Sequence, residues 1–137
     1  MNTRPNTVEV DLDERAFLFP AGKPITRLIF NAEGRMVDVD AIFPFNEART
    51  RARVLSLDIA DAKELARRLV DAVYQARTQL VVSDGVRIAI NVMTNGYQLQ
   101  IGDINRSTDL FLGFGSIWRV CQGLLRAVDY IAPIEAN

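Results

Sequence analysis

Between Val86 and Asp103 the chain reads VRIAINVMTNGYQLQIGD, apolar and polar residues alternating on both sides of an Asn-Gly pair. A period of two belongs to a strand with one face in a core and the other in water, and no helix presents it. If Asn95-Gly96 forms a type I′ turn, whose central residues both need positive φ, Thr94 pairs with Tyr97, Val92 with Leu99 and Ile90 with Ile101. Val86, Ile88, Ile90, Val92, Tyr97, Leu99 and Ile101 then share one face, and Arg87, Ala89, Asn91, Met93, Gln98, Gln100 and Gly102 the other. Strands buried on both sides would read as continuous apolar runs, so helices are expected on one face of this sheet only.

A second alternating stretch, ITRLIFNAEGRMVDVDAIF (Ile25 to Phe43), also folds back on itself. Taking Glu33-Gly34 as a two-residue turn sets Phe30 opposite Val37, Leu28 opposite Val39 and Arg27 opposite Asp40. TVEVDL at 7–12, ARVLSLD at 52–58 and Leu110 to Phe114 read as further strands. The period changes to helical twice. In one stretch Ala62, Leu65, Ala66, Leu69, Val70, Val73 and Ala76 recur at helical spacing, with Asp58 or Asp61 as N-cap. In the other, Ile117, Cys121, Leu124, Val128 and Ile131 form a stripe behind Ser116, with Gly123 suggesting a close helix crossing.

The expected fold is therefore α+β. It is one domain over 1–137, a mainly antiparallel sheet of five to seven strands with amphipathic helices at about 59–77 and 116–131 packed on one face. Residues 1–6 are expected to be disordered and 132–137 to form a tail. LVDAV at 69–73 precedes LLRAV at 124–128 by 55 residues, a spacing that either a duplicated ββ(β)α unit or a chance similarity between two amphipathic helices would give.

Composition excludes more chemistry than it suggests. The 137 residues contain no histidine and one cysteine, Cys121, which rules out histidine-dependent hydrolysis and makes a zinc site or an internal disulfide untenable. The 16 basic and 17 acidic residues leave a net charge of −1, too little to draw the chain to nucleic acid or a membrane surface. The polar start lacks the apolar core of a signal peptide, no run approaches a membrane span, and a cytoplasmic location is expected.

Five features are candidates for function. The glycines of LFLGFGSIWRV stand between a strand and a helix, where a phosphate could sit, but they lack both the third glycine of a dinucleotide fingerprint and the lysine of a phosphate loop. In EARTRARVLSL, Arg49, Arg51 and Arg53 fall on one side of an extended strand; they suit an anion or an acidic partner, or else guard a sheet edge. Asp38 and Asp40 share a strand face, where a cross-strand ion pair explains them better than a metal does. Cys121, on the apolar stripe, reads as a core residue. Asn91, Met93, Gln98 and Gln100 make an uncharged outer sheet face, and depletion of charge marks the centre of protein interfaces.

These readings favour a non-catalytic binding or assembly module, a homodimer using the open sheet face or the arginine-bearing strand. The alternative is a small-molecule-binding protein or histidine-independent enzyme with a pocket between the helices and the sheet. No cofactor or metal is expected. The partner is first of all a second copy of the chain, with a small molecule or another protein as further options.

Overall fold

A computed structural model describes residues 6–12, 16–19, 23–44, 51–84, 86–102 and 107–131. The expected disordered start at 1–5, the tail at 132–137 and Arg49 lie outside these residues. Asn6 is described, and its carbonyl accepts the Ala32 N–H at 3.0 Å. The elements in chain order are β1 (Thr7–Asp11), β2 (Phe17–Phe19), β3 (Lys23–Pro24), β4 (Arg27–Glu33), β5 (Met36–Ile42), β6 (Arg51–Asp58), α1 (Ile59–Gln75), β7 (Gln79–Val82), β8 (Arg87–Met93), β9 (Gly96–Gly102), β10 (Ser107–Gly113) and α2 (Ile117–Ile131).

The class is α+β. Instead of one sheet of five to seven strands, however, ten strands form two sheets, ordered β1-β4-β5-β6 and β3-β2-β10-β9-β8-β7, and every described pairing is antiparallel. β2 and β3 are three and two residues long, too short to show a period, and they lie in the sheet opposite to β1 and β4. Only Ile25 and Thr26 separate β3 from β4, so the chain changes sheets at a sharp corner.

Both sheets turn their apolar faces to the helices, and one core joins them. α2 packs on β1 and β4 of the first sheet, while α1, which directly follows β6, packs on β7 and β8 of the second. Asp58 caps α1, its carboxylate accepting the Asp61 N–H at 2.8 Å. Gly123 marks a close approach of helix to sheet rather than of helix to helix, because a Cβ there would lie 2.5 Å from Val10 Cγ2 and 3.1 Å from Phe30 Cε2.

Both hairpins keep the expected faces but slip by two residues. In the first, Gly34-Arg35 forms the turn, Phe30 faces Val39, Leu28 faces Ala41, and Ile29 rather than Arg27 lies opposite Asp40. Gly34 takes φ +63° in open space, as the first central residue of a type II′ turn does. In the second, the turn is Thr94-Asn95, with Val92 facing Tyr97 and Ile90 facing Leu99. Gly96 belongs to the strand: it pairs with Gly113, and a Cβ on it would lie 2.8 Å from Phe111 Cζ. Packing against β10, not turn geometry, requires that glycine.

β6 carries one extra residue. Val39 pairs with Leu55 but Asp40 with Arg53, so Val54 bulges. Strict alternation would put Arg51 and Arg53 on the same face as Leu55 and Leu57, inside the core. The bulge reverses the alternation, leaving Leu57 buried and both arginines exposed.

The halves are two copies of one unit. β4 and β5 (from 27 and 36) recur as β8 and β9 (from 87 and 96), an offset of 60 residues with identical strand lengths. Leu57 faces Val37, and Leu112 faces Val37's counterpart Tyr97, which moves the offset to 55. A four-residue difference in the preceding connection, 43–50 against 103–106, and the bulged Val54 account for the change. The helices keep the offset of 55: Ala62, Leu65, Ala66, Leu69 and Ala72 correspond to Ile117, Val120, Cys121, Leu124 and Ala127, all buried. A hydrogen bond recurs as well. The Thr7 hydroxyl donates to Asn31 Oδ1 at 3.0 Å, and the hydroxyl of its counterpart Thr78 donates to Asn91 Oδ1 at 3.4 Å.

Candidate functional site

On the outer face of the first sheet the charges answer one another. Arg27 reaches across to β1, its Nη1 3.0 Å from Glu9 and its Nε 3.2 Å from Asp11, and so is not the partner of Asp40. Asp40 is buried, and both Arg51, at 2.7 Å, and Arg53 donate their Nε–H groups to it. Asp38 accepts the Ser56 hydroxyl at 2.6 Å and lies 3.5 Å from Arg53. The hydrogen bond to Asp40, partly opposed by burial, raises the pKa of Arg53 above its ordinary value. β6 is the edge of its sheet among the described residues, and it combines a bulge with charged side chains, two devices that discourage strand pairing. Arg51 and Arg53 thus have carboxylates in place, which weakens the anion-binding reading.

The outer face of the second sheet is built on the same frame with different chemistry. Asn91 Nδ2 donates to Gln100 Oε1 at 2.9 Å and to Gln98 Oε1 at 3.2 Å, and Gln98 Nε2 donates to Asp109 at 3.3 Å. Three of the four expected interface residues are therefore locked in one amide ladder across β8, β9 and β10. Met93, 43% exposed, lies at the turn end of the same face.

The pairing registers align the two faces position by position. Where the first has Glu9, Asp11, Glu33, Asp38 and Asp40, the second has Leu80, Val82, Met93, Gln98 and Gln100. No acidic position of that set keeps its charge. Arg27 corresponds to Arg87, which has no ion pair among the described residues because its neighbours are now Leu80 and Val82. Ser56 corresponds to Phe111, and beyond the bulge Arg53 corresponds to Asp109. Leu80 and Val82 are 49% and 62% exposed on this face.

The sequence pattern places Arg87 on the face of the amides, but it does not reveal that Leu80, Val82, Asp109 and Phe111 share that face. Aligning RLIFNAEGRMVDVD (27–40) with RIAINVMTNGYQLQ (87–100) would have exposed the substitution, yet only the helix offset of 55 stands out by eye.

The other candidates are structural. In LFLGFGSIWRV the Ser116 N–H donates to the Gly113 carbonyl at 3.1 Å, Ser116 is buried, and its own carbonyl takes the Val120 N–H at 3.0 Å. That is a strand end, a turn and a helix start. Phe114 stands edge-on to Tyr97, with ring centres 5.4 Å apart. Cys121 is buried with Sγ 3.5 Å from the Ala66 carbonyl, its counterpart in the other helix, and burial pushes its thiol pKa up, away from reactivity. The cavity enclosed by Leu28, Phe30, Leu65, Leu99, Leu110 and Leu124 holds about 20 Å³. A shallow groove of about 250 Å³ between β1 and α2 is lined by Glu9 and Asp11, already bound by Arg27, and by Arg119 and Arg126. Among the described residues no group of acidic or thiol side chains could hold a metal ion, and no helix is long and apolar enough to cross a membrane.

Comparison with family models, with curated proteins and with solved structures found no match.

Proposed function

We propose that this chain is a non-catalytic assembly module that self-associates through the outer face of its second sheet. The carrying observation is the contrast between the repeats. One frame occurs twice with the same threonine–asparagine bond, and every acidic residue compared above on one outer face gives way to leucine, valine, methionine or glutamine on the other. The frame therefore tolerates the charged face. Exposed aliphatic residues around a charge-poor amide ladder resemble the centre and surround of a protein interface. The arginine-bearing strand is the less suitable surface, because Asp38 and Asp40 already occupy its guanidinium groups. Among the described residues, the cavity enclosed between the helices and sheets holds about 20 Å³, far below an ordinary ligand pocket.

The test returns the first repeat's chemistry to the second. Light scattering should give twice the 15.3 kDa chain mass for the natural protein and the single mass for Leu80→Glu/Val82→Asp/Gln100→Asp. Natural protein that stays monomeric at about 100 µM, well above the range of specific dimers, would refute the proposal.

A further inference from the structure

We infer that two copies pack second sheet to second sheet about a two-fold axis running along β9, with Arg87 of each copy paired to Asp109 of the other. This rests on the assembly reading above and adds its geometry and its orienting residues. β9 is flanked by β10 and then β2 on one side, and by β8 and then β7 on the other. A half-turn about a line along β9 in the plane of contact exchanges those sides. It lays β7 over the other copy's β2, β8 over its β10, and β9 over itself.

The residues on each strand suit that exchange. Leu80 of β7, in the row of Ala89, Gln100 and Asp109, comes within one same-face step of Phe17 of β2, which pairs with Phe111 on the outer face. Ala89 and Asn91 of β8 lie level with Asp109 and Phe111 of β10, and Arg87 lies one same-face step beyond Ala89. Gln98 and Gln100 of β9 meet their own copies. Amides carry both donors and acceptors, so they can pair with themselves where a row of like charges would repel.

The pair of charges also needs what the exchange supplies. Arg87 has no carboxylate within its own chain among the described residues, and Asp109 accepts one long bond there, from Gln98 at 3.3 Å. Arg87 lies opposite Gly102, one same-face step of about 7 Å from the row of Ala89, Gln100 and Asp109. The crossing angle of about 30° between aligned sheets and the length of an arginine side chain close that gap. The five strands that overlap at normal spacing give a footprint of roughly 500 Å² per copy, at the lower limit for a specific interface. A pair of matched charges at such an interface fixes orientation more than it adds affinity.

Sedimentation equilibrium on the natural protein, Arg87→Asp, Asp109→Arg and the double variant tests the pairing, with melting curves confirming that each is folded. Each single reversal should weaken the dimer by about tenfold or more, and the double should recover to within a few-fold of the natural protein. If a reversed variant does not fold, Arg87→Gln and Asp109→Asn should each weaken it a few-fold. A short bis-maleimide should cross-link Gln100→Cys dimers on the axis and leave Arg67→Cys, on α1, uncross-linked. A dimer with no recovery in the double variant, or no Gln100→Cys cross-link, overturns this arrangement and leaves the assembly reading standing. A monomeric natural protein overturns both and assigns the face to a different partner.

Discussion

Asp40 is the only buried charged side chain among the described residues, held by two half-exposed arginines. Removing its charge should matter more than removing that of Asp38, which is more exposed and 3.5 Å from its arginine. Asp40→Asn should cost about 1–3 kcal/mol in urea unfolding and Asp38→Asn under about 1 kcal/mol. Reading the sequence placed Asp38 and Asp40 in an ion pair but named Arg27 as the partner. The error follows from the two-residue slip of the hairpin, which alternation cannot detect because a slip of two keeps every side chain on its face. Core titration gives a second expectation. Burial raises the pKa of Cys121 and of Tyr97, since a core disfavours both the thiolate and the phenolate. Above about pH 9 the unfolded chain loses these protons first, so stability is intact at neutral pH and falls as pH rises. The melting temperature should drop between pH 8 and pH 10.5, and Cys121→Ala should flatten part of that drop.

At the scale of elements, two glycines that look alike in the sequence answer to different constraints. Gly123→Ala improves helix propensity by about 1 kcal/mol, but the new methyl group meets Val10 and Phe30. The backbone of α2 would have to lift from β1 and β4, and a net loss of about 1–3 kcal/mol is expected in thermal or urea unfolding. Gly34→Ala meets no atom and should lose about 1 kcal/mol from its positive φ alone. Helix ends and strand faces were legible because each follows from local period and capping. The bulge at Val54 was not, although ARTRARVLSL contains its trace: arginines and leucines share one parity, and a single regular strand cannot bury the leucines while exposing the arginines. Turn positions were misread for a related reason, because Asn95-Gly96 suits a turn locally while Phe111 and Gly113, distant in sequence, require Gly96 inside the strand.

For the whole molecule, duplication was suggested by the helices, and the arrangement of the copies was not. Each helix leaves one sheet and packs substantially with the other copy's strands, so neither repeat encloses its own core. A fragment of residues 1–76 lacks the α2 side chains that cover Val10 and Phe30. It should show no cooperative urea transition alone and should regain one when mixed with residues 77–137. Strand order and the crossing of helices between sheets depend on contacts between residues far apart in the chain, which period and propensity do not encode.

The imbalance between the two outer faces also bears on how large an assembly can grow. Had both sheets shed their acids, every molecule would present adhesive surfaces front and back, and addition at each end would have no natural stop. With only one face altered, the proposed pairing would consume the adhesive surface of both members. What would remain outward is a pair of charged sheets, each with more acidic residues than arginines, whose like charge opposes the addition of a third molecule.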